Sequence, residues 1–248
     1  MPQPTEESHD FAARIRARAG IDASVPAERL FLYLRHRVLG RSYRRFYARM
    51  MDRRIRERPD WGLDLPKRFQ LDYLIRHGLR PESTLLDYGC GAVAAGLHMI
   101  EHLHRGGYTG VDISEGVLHE AVRRVRTRGL AHKRPVLWHL SSGSLRDLPA
   151  FPRDFIWAQS VLTHMPPHDI RELLALLPAY LAPAGRVFAT ITRGERDVEQ
   201  RNLKDWRYSV HTLEEIARER GFALKTHDDW AHPDDPEGLD TMLELTRR

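Results

Sequence analysis

The spacing of hydrophobic residues changes near residue 80. Before it, apolar side chains recur every three or four positions: Leu30, Tyr33, Leu34 and Val38 in AERLFLYLRHRVLG, then Tyr43, Phe46, Tyr47, Met50 and Met51 in SYRRFYARMMDRRIRER. This spacing gathers them on one face of a helix. Gly40 closes the first helix, Ser42 is placed to cap the second, and Pro59 ends it. A third helix, PKRFQLDYLIRHG, has Pro66 near its first turn and closes at Gly78. Residues 1–10, polar and carrying Pro2 and Pro4, are expected to be a disordered tail.

Beyond LRPES the helical period gives way to short apolar runs alternating with amphipathic stretches. TLLDY, GYTGVDI, PVLWHLSS, DFIWAQSV and GRVFATIT predict five buried strands. The intervening helices are 92–104, SEGVLHEAVRRVRTRG capped by Ser114, and HDIRELLALLPAYLAP interrupted by Pro178. TLEEIARERG follows as a helix opened by Thr212, and then come the strands FALKTHDD and TMLELTR. Strand–helix alternation predicts an α/β fold: a doubly wound, mostly parallel sheet of seven strands with helices on both faces. No helix separates the last two strands, so the final one is expected to run antiparallel. The expected organisation is a tail (1–10), a helical lid or extension (11–64) and an α/β domain (65–248).

Composition narrows the functional classes. No apolar run reaches the length of about 18 residues that a membrane span needs. The opening MPQPTEESHDF lacks a basic-then-apolar signal pattern, so a cytoplasmic location is expected. One cysteine, Cys90, rules out an internal disulfide, and no spacing of histidines and carboxylates reads as a metal motif. His98 and His102 lie one helical turn apart but are not expected to bind metal. Residues 1–60 hold 14 arginines against eight acidic residues, net +6, so the rest of a chain of total charge +5 carries −1. The positive field therefore belongs to the N-terminal helices, which serve either as a solvated face or as an attractor for an anionic partner such as nucleic acid.

The candidate chemistry starts at TLLDYGCGAVAAG. A strand ending in Asp87, then Gly89 and Gly91, then a helix, lets the backbone approach a ligand closely and presents unpaired N–H groups. Asp112, at the end of the next strand, is placed to accept hydrogen bonds from ribose hydroxyls. A dinucleotide fingerprint needs glycine at 94, where Ala94 stands. The D-x-G-C-G pattern at 87–91 resembles motif I of the class I S-adenosylmethionine-dependent methyltransferases. YTGVDIS, the segment from DFIWAQSVLTHMPP through VFATIT, and the closing pair GFALKTHDDW and TMLELTRR also resemble that family, in its order, over roughly residues 60–248. Two positions depart from it: Val93 stands where glycine is usual, with Gly96 slightly later, and GSLRDLP carries Ser144 where relatives often have a carboxylate.

The resemblance implies a Rossmann-like domain that binds S-adenosylmethionine and releases S-adenosylhomocysteine. It implies cofactor contacts from Asp87, Tyr88, Gly89, Cys90 (as a small buried filler), Gly91, Asp112, Ile113, Ser144, Leu145 and Gln159. His164, just past the fourth strand, is a candidate general base. Tyr43, Tyr47 and Trp61 from the lid, with Trp230 and His232 from the loop before the last strand, are acceptor-site candidates. The acceptor is expected to be a small molecule methylated on oxygen or nitrogen. A nucleic acid or protein acceptor held by the arginine-rich helices, or a binding module without activity, are the alternatives, and fold alone does not choose among them.

Overall fold

The structure is a computed structural model that describes residues 43–61, 67–201, 204–233, 235, 238 and 240–248. The expected tail, the first predicted helix, the Ser42 cap and the first-turn Pro66 lie outside the described residues. Helices α1 (Tyr43–Glu57) and α2 (Arg68–Arg76) precede an alternating series. That series is β1 (Leu85–Tyr88), α3 (Gly96–His102), β2 (Tyr108–Asp112), α4 (Glu115–Thr127), β3 (Val136–His139), β4 (Arg153–Ala158), α5 (Pro167–Leu176) and β5 (Leu181–Arg193). The chain ends with β6 (Val198–Gln200), β7 (Trp206–Tyr208), α6 (Val210–Glu219), β8 (Phe222–His227) and β9 (Asp240–Arg247).

Strands β3, β2, β1, β4 and β5 run parallel in that spatial order, and β9 lies antiparallel between β5 and β8. The antiparallel last strand is therefore present, but the sheet has nine strands rather than seven. The additional pair is the hairpin β6–β7, whose second strand continues parallel to β5 at Thr192 and Arg193. β9 reaches the same Thr192 from the other side, so β7 lies on the β4 side of β5, beyond the end of β4. Each strand here is three residues long, too short to show a period.

Side-chain alternation splits the sheet's neighbours into two cores. Leu86, Ile156, Ala158, Val187 and Ala189 point to one face and pack with α5 and α6. Leu85, Phe155, Trp157 and Phe188 point to the other and pack with α2, α3 and α4. Ser114 caps α4 as expected, its hydroxyl accepting from the Val117 N–H at 3.2 Å. Helix α6, in contrast, is capped by Ser209 rather than Thr212, because the Ser209 hydroxyl accepts from the Thr212 N–H. Pro178 ends α5 at Leu176 and leaves one 3₁₀ turn.

Candidate active site

A cavity of about 510 Å³ opens above the C-terminal ends of β1, β2 and β4. This is the edge where parallel α/β sheets place ligands. It lies in the size range of about 300–1,000 Å³ usual for small-molecule sites. Asp87, Tyr88, Gly89, Cys90, Gly91, Asp112, Ile113 and Gln159 line it, together with His164, Tyr43, Tyr47, Trp61 and His232.

The floor is the β1–α3 turn. Gly89 (φ +77°) and Gly91 (φ +55°) take left-handed conformations. A Cβ on Gly89 would sit 2.5 Å from a Val161 methyl, whereas one on Gly91 would meet nothing within 4 Å. At Gly91 the missing side chain leaves open cavity. Val93 also adopts φ +52°, although it is β-branched and fully buried. Strain of this kind costs about 1–3 kcal/mol. Helix α3 starts only at Gly96, so the later glycine begins the helix while Val93 itself takes a left-handed conformation that favours glycine.

Asp112 holds this turn against the next one. Its Oδ2 accepts from the Gly91 N–H at 3.0 Å and its Oδ1 from the Ser114 N–H at 2.9 Å. Burial raises its pKa, and these backbone bonds pull it back. Asp87 is buried deeper in chemical terms. Desolvation pushes its carboxyl up to about 7, against the lowering effect of the Tyr108 hydroxyl, which donates at 2.6 Å. A buried carboxylate poised this way would be fully ionised by a nearby cation. The open face at Gly91 and the Asp87 carboxyl both fit a ligand with an extended, positively charged tail. The Cys90 thiol is pushed well up by burial, which suits a filler and not a nucleophile.

Two expected cofactor residues do not line the cavity. Leu145 is fully buried in the core, and its carbonyl accepts from the Tyr180 hydroxyl. The Ser144 hydroxyl is drawn away to Glu172 Oε1 at 2.9 Å. Leu140, Gly143, Arg44 and Asp169 line that end instead. Arg44 of α1 donates to Asp169 at 2.7 Å and to Glu172 at 2.6 Å. An arginine 125 residues away in sequence thus completes this end of the wall, a pairing that no local spacing announces.

The other walls come from α1, α2, the turn after β4 and the loop before β9. Asp52 of α1 accepts from the Ser114 hydroxyl at 2.6 Å and the Gly116 N–H at 3.0 Å, which docks α1 on the start of α4. Arg124 of α4, 3 % exposed in its side chain, donates to the carbonyls of Pro59, Trp61 and Ala92 and pairs with Glu120. It thereby ties the exit of α1 to the glycine turn. Gln70 of α2 accepts from Trp157 Nε1 at 3.0 Å and donates to Gln159 Oε1 at 3.3 Å, fixing the amide of Gln159.

His164 stands in the turn after β4. Its Nδ1 lies 2.9 Å from both the Lys204 carbonyl and Asp205 Oδ1. Both partners are acceptors, so Nδ1 carries the proton and Nε2 is the basic nitrogen. The Tyr47 ring packs on the imidazole at 5.1 Å, and Tyr43 donates to the Lys204 carbonyl and meets Trp206 edge-on at 4.8 Å. His232 lines the cavity against Phe69, but Trp230 does not: it is buried between Phe69, Tyr73 and Trp157 and acts as the anchor beneath His232. Asp52, Arg44, Arg124, Gln70 and Asp205 were not singled out by the sequence reading. Each acts through a partner distant in the chain, for which the sequence offers no local signal.

A family model described as a methyltransferase domain matches residues 86–187. No curated protein matches the chain in sequence. Among solved structures, magnesium protoporphyrin IX methyltransferase from Synechocystis PCC 6803, with bound S-adenosylmethionine, is 17% identical over 73% of this chain and 78% of its own, with a TM-score of 0.56. The DhpI complex with S-adenosylhomocysteine is 16% identical over 81% and 94%, with a TM-score of 0.59. The glycopeptide N-methyltransferase MtfA, complexed with sinefungin, is 12% identical over 74% and 94%, at 0.59. These similarities are of fold. The family match gives residues 86–187, across β1–β5, as a methyltransferase domain, and the solved structures share its Rossmann-like fold.

Proposed function

We propose that the protein methylates an oxygen or nitrogen of a small molecule, with His164 as general base. The observation that carries this reading is the joining, in one cavity, of the Asp87–Gly91 turn and Asp112 with a histidine whose Nδ1 is held by Asp205. When bound, S-adenosylmethionine supplies a methyl group already activated on a sulfonium. The protein's part is then to align the nucleophile and exclude water. In this reading Asp112 takes the ribose hydroxyls, Ile113 packs on the adenine, Asp87 faces the ammonium group and Gln159 lies toward the sulfonium end. Nε2 of His164 takes the O–H or N–H proton of the acceptor, while Asp205 and the Lys204 carbonyl stabilise the imidazolium that results. Tyr43, Tyr47, Trp61 and His232 form the acceptor wall. The segment 11–64 acts as a lid on the domain 65–248, supported by the docking of α1 through Asp52 on α4.

A cavity of about 510 Å³, within the small-molecule range, favours a small acceptor over a polymer. Arg45, Arg49 and Arg56 do face outward from α1, and they are what a nucleic-acid acceptor would use. A steep loss of affinity with salt would mark that case. The direct test is transfer of an isotope-labelled methyl group from S-adenosylmethionine into cell extract, followed by identification of the product. Label in a low-molecular-weight compound is the expected result, and label confined to nucleic acid or protein would overturn the small-molecule reading. Among the described residues no helix is long and apolar enough to cross a membrane.

A further inference from the structure

On the far side of the Trp230 anchor, outside the cavity, three side chains from two distant parts of the chain converge. His77 follows α2, His227 ends β8, and Asp229 lies two residues on. One ligand atom from each lies within 4.8 Å of the other two. His77 Nε2 is 2.9 Å from Asp229 Oδ2, and His227 Nδ1 is 3.6 Å from Asp229 Oδ1. We propose that His77, His227 and Asp229 form a binding site for one divalent transition cation of the zinc class.

The distances suit such an ion. Ligands about 2.0–2.1 Å from a tetrahedral centre stand about 3.3 Å apart, a spacing that small rotations of Asp229, whose two oxygens each face one histidine, would bring about. The donor set, two imidazoles and a carboxylate, is borderline in softness and favours zinc over calcium or magnesium, which take oxygen ligands. The outer contacts are those that a metal-binding imidazole requires. His227 Nε2, the nitrogen turned away from the cluster, is 2.7 Å from Glu244 Oε2. That bond places the Nε2 proton and leaves the Nδ1 lone pair directed at the cluster. Glu244 is in turn held by Arg186, which also donates to the His77 carbonyl and so frames both histidines with one side chain. The His77 and His227 rings meet edge-on at 4.7 Å, and Tyr73 and Phe188 wall the back. His77 is 15 % exposed in its side chain and His227 6 %, while Asp229 is 50 % exposed, which leaves an entry from solvent.

None of the three residues lines the cavity, so the ion would be structural. It would clamp the β8–β9 loop, which carries His232, to α2, which carries Gln70. Three protein ligands leave the fourth position to water.

The test is titration of chelator-treated full-length protein with cobalt(II), read by its visible ligand-field absorption, and with zinc(II), read by calorimetry and thermal melting. One equivalent of either metal should bind. Affinity should fall at least 100-fold in Asp229→Ala and in His77→Ala, and zinc(II) should raise the melting temperature of the wild type but of neither variant. Asp229 is half exposed, so its variant should fold even if the His77 variant does not. A Glu244→Gln variant that retains the site should lose about 10- to 100-fold. Absence of saturable binding by the wild type would overturn the proposal. So would binding that both single variants leave intact, since it would belong to other histidines among the 14 of the chain.

Discussion

At the glycine turn and Asp112, on the cofactor side of the cavity, the polar contacts are local. Asp112 reaches Gly91 over 21 residues and Ser114 over two. On the closing side they span the chain: His164 to Lys204 over 40 residues, Asp52 to Ser114 over 62, Arg44 to Asp169 over 125 and Tyr43 to Lys204 over 161. The first side consists of strand ends and turns whose backbone dictates where the side chains go. The second is assembled from a helix, a hairpin and a loop that meet only in the folded protein. One half is therefore specified by local backbone geometry and the other by docking, and the two should respond differently to substitution.

The largest expected effect lies on the closing side. His164→Ala should lower single-turnover methyl transfer by about 10²–10⁴-fold, with little change in S-adenosylhomocysteine affinity measured by calorimetry. Asp205→Asn should give an intermediate loss, since it keeps the imidazole in place but removes the charge opposite it. Near-normal turnover in His164→Ala would remove that residue as base and leave alignment alone to account for the rate.

Arg124→Ala should come next. Glu120 keeps Arg123, but three backbone carbonyls lose their donor, at a cost of about 1–3 kcal/mol for each that stays buried and unpaired. Scanning calorimetry should show a fall in melting temperature of roughly 10 °C. A loss under about 1 kcal/mol would mean that the exit of α1 is held by other contacts.

On the cofactor side the expected signature is pH dependence. Asp87 has its pKa raised by burial to about 7. Its contribution to stability is thus full at low pH, below its unfolded value of about 4, and is lost as pH rises through 7. A cationic ligand facing Asp87 reverses the preference, because it favours the ionised form. S-adenosylhomocysteine affinity should therefore rise by up to about tenfold per unit as pH increases toward 7, then level off. Isothermal titration across this range should show the slope in the wild type and none in Asp87→Asn. A flat wild-type profile would place the ammonium group elsewhere.

The smallest effect, and the finest test of local backbone control, is at Val93. Val93→Ala gives up buried methyl groups worth about 0.8 kcal/mol each and keeps most of the strain at φ +52°. Val93→Gly gives up more surface but releases the strain, about 1–3 kcal/mol. The glycine variant should be the more stable of the two in denaturant melts, with cofactor affinity close to wild type. The reverse order would show that the turn is held without strain.

The legibility of the sequence follows the same division. Strands β1, β2, β4 and β5, the Ser114 cap and the antiparallel close are visible because buried strands are written as apolar runs and caps as single residues before helices, whereas β3 reads as a strand although half of it is exposed. The β6–β7 hairpin was not visible, because three-residue strands carry no period, and it is this hairpin that supplies Asp205. Ser144 was expected at the cavity wall from its place in a motif, but Glu172, on a helix further along the chain, draws its hydroxyl away. Trp230 and His232 were legible as a pair of interest, yet only packing shows that one is an anchor and the other a wall. The His77–His227–Asp229 cluster had no signature at all, since its first member lies 152 residues from its last.

What the sequence determined by itself is whatever depends on neighbours along the chain: the α/β alternation, the glycine turn, the acidic strand ends and the methyltransferase domain across them. The tertiary structure alone decided which nitrogen of His164 is basic, which carboxylate supports it, and where α1 closes the cavity. It also decided that two histidines and an aspartate meet behind Trp230. The physical reason is that these features depend on side-chain atoms within about 3 Å of each other from elements far apart in the chain. Such contacts are set by how helices and hairpins dock on the sheet, and no pattern along the sequence records that docking.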